Sequence, residues 1–230
     1  MAKQPPTPTE KAFGNGDMGI TKYAIATFHP EDEVLKEIRV RSKSEGLPDI
    51  HVGEMDGLHL EVLVRATGAK KAVEIGTLAG YSGVCIARAL GPKGFLHTFE
   101  FEEKHAKVAT ESFRKAGVLE NVKVHVGPAL QNLKTIEKEG PFDLVFVDAN
   151  KEDYPGYLKW AEENLKIGGL LMADNTFAWG LIHKETLDHQ RQEQPVQALR
   201  TFNKTVATSS RFRATIMPTG EGLTLAVKIK

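Results

Sequence analysis

The sequence predicts an α/β fold: a doubly wound, mostly parallel seven-stranded sheet with a helical N-terminal extension and a C-terminal antiparallel hairpin. Three observations point there. Between residues 71 and 174, short apolar runs alternate with segments of helical periodicity. Runs such as FDLVFVD and GGLLMAD are continuous rather than alternating, as a strand covered on both faces requires. The connections are short, so consecutive elements pack as neighbours.

Taken in order, residues 1–19 (with PPTPTE and GNGDMG) are rich in Pro, Gly, Thr and charge, and read as a loose arm ahead of one domain over residues 20–230. HPEDEVLKEIRVRS reads as a helix. Pro30 suits a first turn, Glu31, Asp32 and Glu33 complement the N-terminal dipole, and Val34, Leu35 and Ile38 fall at helical spacing. Gly46-Leu47-Pro48 closes it. A second helix covers 54–67, with Leu58, Val62 and Leu63 as its apolar stripe and Gly68 as its stop. The alternation then begins. KAVEIG is a strand, GYSGVCIARAL a helix, GFLHTFE a strand, and EKHAKVATESFRKAG a helix ending at Gly117. NVKVHVG, FDLVFVD and GGLLMAD are strands, separated by helices through ALQNLKTIEK and YLKWAEENLK. A polar stretch, HKETLDHQRQEQ, leads to a helix near 195–208. The strands RFRATIMP and GLTLAVKIK follow, joined by a hairpin turn at Thr219-Gly220-Glu221-Gly222.

Composition narrows the function. Thirty basic and thirty acidic residues cancel, so no net field recommends nucleic acid or a membrane surface as partner. Cys85 is the single cysteine, which excludes an internal disulfide and suits a reducing compartment. No apolar run approaches the roughly 20 residues of a membrane span, and MAKQPPTPTEK lacks a signal-peptide core. The expectation is a cytoplasmic protein acting on a small molecule.

In a doubly wound sheet, ligands collect beyond the C-terminal ends of the strands. The first strand ends in EIGTLAGYSG, where Gly76, Gly80 and Gly83 are spaced G-x3-G-x2-G rather than the G-x-G-x2-G of the dinucleotide fingerprint. Gly76 permits a tight turn, and Gly80 a close backbone approach to a ligand. The next strand ends at Glu100, placed to accept hydrogen bonds from both hydroxyls of a ribose. Glu74, inside an apolar strand, needs a partner, because a buried carboxylate is costly alone. A positively charged ligand would supply one.

The stretch GGLLMADNTFAWG has two readings. Asp174 and Asn175 are good turn residues. They also stand where FDLVFVD places Asp148, at the end of what would be the neighbouring parallel strand. Asp148, Asp174 and the Asn175 amide together offer three hard oxygen ligands for a divalent cation, Mg²⁺ first and Ca²⁺ or Mn²⁺ as substitutes.

VEIGTLAGYSG, Glu100, GPAL at 127–130, FVDANKEDY at 146–154 and ADNTFAWG at 173–180 together resemble the cation-dependent class I O-methyltransferases, which include the catechol and caffeoyl-CoA enzymes. The resemblance spans residues 20–230 with five motifs in the family order. It implies a Rossmann-like domain that uses S-adenosylmethionine, with Glu74, Gly76, Tyr81 and Ser82 in the cofactor site, Glu100 on the ribose and Ala129 at the adenine. Val52 would contribute backbone beside the methionine moiety. Asp148 would serve both the cofactor amine and the metal, with Asp174 and Asn175 completing the metal set. Lys151, three residues after Asp148, would be the catalytic base. The acceptor would be a vicinal dihydroxy-aromatic compound, Trp179 would face it, and the assembly would be a homodimer. Asn150 departs from the family, which commonly has an acid there. His51, His183 and His189 receive no role. Two other readings stay open: a nicotinamide-dependent oxidoreductase, which leaves Glu74 and the Asp148/Asp174/Asn175 set unexplained, and a non-catalytic protein of methyltransferase-like fold.

Overall fold

A computed structural model of the chain describes residues 18–230. Most of the expected arm, residues 1–17, lies outside the described residues. Its last two residues do not continue a loose arm, because Met18 and Gly19 open helix α1 (Met18–Phe28), which buries Thr21 and Ala24. The next helix, α2 (Glu33–Ser44), starts later than Pro30 suggests. Asp32 is its cap, accepting from the Leu35 N–H at 3.0 Å, and Pro30 stays outside. Glu31 is diverted from the dipole to Arg39 and Tyr81. Helix α3 (Glu54–Thr67) ends at Gly68 in the left-handed conformation, as the sequence implies.

The alternating part contains β1 (Lys71–Ile75), α4 (Tyr81–Leu90), β2 (Phe95–Glu100), α5 (Glu103–Lys115) and β3 (Val122–Val126). Then come α6 (Ala129–Asn132), β4 (Phe142–Val147), α7 (Tyr154–Asn164) and β5 (Leu165–Ala173). The segment expected as one helix after Gly127 is the single turn α6 followed by 3₁₀ turns over Leu133–Glu139. Strand β5 begins at Leu165, ahead of the glycine pair, because Leu165 is buried and pairs with Phe142 across a register shift. Helix α8 (Glu193–Thr208) leads to β6 (Phe212–Met217) and β7 (Leu223–Lys228).

The seven strands lie in the order β3-β2-β1-β4-β5-β7-β6. All pairs from β3 to β5 are parallel, and β7 inserts antiparallel between β5 and β6. Successive side chains of β4 and β5 alternate between two cores. Leu144, Phe146, Leu170 and Met172 join the layer of α2–α5, whereas Val145, Val147, Leu171 and Ala173 join that of α7 and α8. That double coverage is why these strands read as unbroken apolar runs. Cys85 is buried inside α4, where burial pushes its thiol up to about 12. Among the described residues, no helix is long and apolar enough to cross a membrane.

Candidate active site

The C-terminal ends of β1, β2, β4 and β5 open into one cavity of about 1880 Å³. Its floor is the turn after β1. Gly76 sits at φ 99°, and a Cβ there would lie 2.0 Å from the Asp148 carbonyl oxygen, so only glycine lets the two strand ends meet. Gly80, also at positive φ, caps α4 but faces Phe113 and Ala109 of α5. Its bareness serves helix packing, and Gly80 itself does not line the cavity.

Glu100 lines the cavity. Its carboxylate accepts from the backbone N–H of Leu78 at 2.7 Å and of Glu102 at 3.0 Å, with longer contacts of 3.3 Å from the Thr77 N–H and His105 Nδ1. Glu74 stands differently. It is fully buried and does not line the cavity; the Ser82 and Thr98 hydroxyls each donate to it at 2.6 Å. The partner that the sequence reading sought in a cationic ligand is thus supplied by the protein itself, although burial still pushes the Glu74 carboxyl up to about 7. Ser82 reaches the cavity with its hydroxyl already engaged.

Tyr81, Val52 and Ala129 also border the space. Arg39 braces the first two. Its guanidinium lies 4.1 Å over the Tyr81 ring, donates to the Val52 carbonyl at 2.9 Å, and pairs with Glu31, which accepts from the Tyr81 hydroxyl at 2.8 Å. This clamp was not visible in the sequence, where Arg39 is one basic residue among several on a helix.

Across the cavity the two aspartates are neighbours by register: Asp148 lines the space, whereas Asp174 is buried beside it without lining it, its Oδ1 accepting from the Asn175 N–H at 2.8 Å. Val147 of β4 pairs with Ala173 of β5, so Asp148 and Asp174 are the next residues on adjacent parallel strands, about 5 Å apart at the backbone. Their amides continue the ladder, Asp148 to Ile75 at 2.8 Å and Asp174 to Val147 at 2.9 Å. Asn175 follows in the left-handed region at φ 60°, with its Nδ2 donating to the Glu221 carboxylate. Lys151 is buried, donating to Asp148 Oδ1 at 3.0 Å and to the Tyr154 hydroxyl at 2.9 Å. Tyr154 in turn donates to the Asp174 carbonyl at 2.9 Å. Burial, with Asp148 and Asp174 close by, raises Tyr154 well above its ordinary range, so it stays a neutral donor. Neither Tyr154 nor Glu221 had been singled out: the first is one turn from Lys151, the second was read as a hairpin residue.

Asn150 lines the cavity, yet both ends of its amide are occupied, by Asp153 at 2.7 Å and by the Tyr157 hydroxyl at 3.0 Å. Trp179, at φ 54° and 41% exposed, forms part of the cavity wall. His51 and His189 border the space and His183 does not. Among the described residues, no three His, Cys, Asp or Glu side chains converge as a metal-binding group.

A family model described as O-methyltransferase matches residues 25–229. The chain belongs to this O-methyltransferase family. A catechol O-methyltransferase of Mycobacterium tuberculosis is 38% identical over 188 residues, covering 82% of this chain and 80% of the relative. A caffeoyl-CoA O-methyltransferase of Eucalyptus gunnii is 32% identical over 218 residues, covering 91% and 87%. Among solved structures, the O-methyltransferase TomG of Streptomyces achromogenes, involved in tomaymycin synthesis and solved in complex with SAM, superposes with a TM-score of 0.84 at 35% identity, covering 92% of this chain and 96% of its own. Membership in the O-methyltransferase family sets aside the nicotinamide-dependent reading.

Proposed function

We propose that this O-methyltransferase transfers a methyl group from S-adenosylmethionine to one hydroxyl of a vicinal dihydroxy-aromatic acceptor, with a divalent cation held by Asp148, Asp174 and Asn175. The observation that carries the reading is the rim itself: two carboxylates on adjacent strand ends, an amide beside them, and a buried lysine bonded to one of the carboxylates. The donor set fits a hard cation, since all three residues offer oxygen and leave coordination positions for an acceptor. The names of the catechol and caffeoyl-CoA relatives, and the SAM complex of TomG, support the same substrates here.

When bound, the sulfonium would supply an electrophilic methyl carbon, and the cation would stabilise negative charge on the acceptor oxygen. The protein's part is positioning and proton transfer. Glu100, which lines the cavity, would hold the ribose hydroxyls. The first-turn N–H groups of α4 have no intrahelical acceptors and suit the methionine carboxylate. Ala129 and Tyr81 bound the space for the rest of the cofactor, and Val52 contributes backbone. Lys151 Nζ takes the acceptor proton, oriented by Asp148 on one side and the Tyr154 hydroxyl on the other. Trp179 offers a flat face to the acceptor ring.

Asp174→Ala is the direct test. Turnover of caffeic acid should vanish while calorimetric affinity for S-adenosylmethionine stays within a few-fold. Full activity in that variant would remove the cation from the mechanism. Equal turnover of p-coumaric acid, which has a single ring hydroxyl, would remove the vicinal requirement.

A further inference from the structure

We propose that Glu221, in the turn between β6 and β7, is a positioning residue that sets the Asn175 side chain with its oxygen towards the cation. On this view the C-terminal hairpin is part of the active site as well as an edge of the sheet. The inference rests on the cation reading above and deepens it.

A side-chain amide has an acceptor end and a donor end, and only the oxygen can ligate a hard cation. Asn175 is held at φ 60° by the backbone, but a half-turn about its last torsion would present the NH₂ group instead. Glu221 decides between the two states. Its carboxylate oxygen accepts from Asn175 Nδ2. The flipped amide would set oxygen against oxygen, so the donor end is tied to Glu221 and Oδ1 is left for the cation.

Glu221 can do this because its own turn is fastened to the segment that follows Asn175. The Phe177 N–H donates to the Glu221 carbonyl at 2.9 Å and the Thr176 N–H to the Gly222 carbonyl at 3.0 Å. The Thr176 hydroxyl also reaches Gly222 at 2.9 Å, and the Thr224 hydroxyl donates to that of Thr176 at 2.9 Å. Gly222 lies flat against Phe177, where a Cβ would come within 2.6 Å of the ring, and its φ of 79° excludes most other residues. Both Glu221 and Asn175 are buried. Among the described residues, Asp148, Asp174 and Glu221 do not converge as a metal-binding group.

Mn²⁺ binding, followed by electron paramagnetic resonance on the purified full chain, tests this without reference to turnover. The wild type should bind Mn²⁺. Glu221→Ala should weaken binding by about 10- to 100-fold, the range for residues that orient a ligand, with the unfolding midpoint of the metal-free protein little changed. Glu221→Gln should restore affinity to within a few-fold, because its amide oxygen still accepts from Nδ2. If Glu221→Ala does not fold, Glu221→Met, of similar length and without an acceptor oxygen, carries the same expectation. In an Asn175→Asp background, where both oxygens are equivalent, removing Glu221 should cost no affinity. Wild-type protein that fails to bind Mn²⁺ would overturn the cation reading itself. Wild-type binding with Glu221→Ala and Glu221→Met unchanged would overturn only the role of Glu221. Loss in Glu221→Gln equal to that in Glu221→Ala would make the carboxylate a ligand and overturn positioning.

Discussion

Replacing Glu74 by Gln should flatten part of the protein's pH–stability profile. Glu74 is fully buried, and its carboxyl is pushed up to about 7 from an ordinary 4.5. Burial is the main cause, the Ser82 and Thr98 hydroxyls oppose it, and the charges of Asp148 and Glu100 add to it. The folded protein therefore holds this proton more tightly than the unfolded chain does. The resulting stability is fully present below about pH 4.5, is lost as pH rises, and is gone above about pH 7. At about 1.4 kcal/mol per pKa unit, the loss amounts to about 3 kcal/mol across that window. Gln resembles the neutral carboxyl in shape and can keep the Ser82 bond through its oxygen. Its NH₂ meets the Thr98 hydroxyl, which can accept while donating to Thr77 Oγ1, 2.5 Å away. Urea unfolding of the ligand-free proteins, followed by circular dichroism from about pH 5 to about pH 8, should show the stability difference between variant and wild type growing in favour of Glu74→Gln. Parallel curves would refute the assignment of a neutral, buried carboxyl at this position.

Two further outcomes follow from the geometry. Lys151→Met should lower turnover by about 10²- to 10⁴-fold, as for loss of a general base, with S-adenosylmethionine affinity retained in calorimetry. Gly76→Ala would place a methyl 2.0 Å from the Asp148 carbonyl oxygen on a backbone with φ 99°, so thermal unfolding should register a loss of several kcal/mol or no folded protein.

How far the sequence could be read depended on whether a residue's partner was near in the chain or predictable from the sheet. Asp148 and Asp174 were legible because each ends an unbroken apolar run, and adjacent parallel strands bring such ends together. Glu74 stood out as a charged residue in a buried strand, but its partners are hydroxyls: Ser82, eight residues on in α4, and Thr98, 24 residues away on β2, which sends no local signal. Glu221 was invisible for the same reason, its partner Asn175 being 46 residues away. Its place in the turn looked like ordinary hairpin chemistry. Helix α1 was missed because it carries no acid in its first turn and no base in its last, so neither end announces itself. At α2 two start signals competed, and the side-chain cap from Asp32 prevailed over the backbone preference of Pro30.

The central claim is a cation-assisted methyl transfer at the rim formed by Asp148, Asp174 and Asn175. Its most direct test is mass-spectrometric detection of methylated caffeic acid after incubation with S-adenosylmethionine, once with Mg²⁺ and once with excess chelator. The account predicts product with Mg²⁺ and none with chelator, restored when Mg²⁺ is added back. Product formed equally in both tubes would contradict it, leaving a methyltransferase in which the two aspartates serve the turn and not a metal.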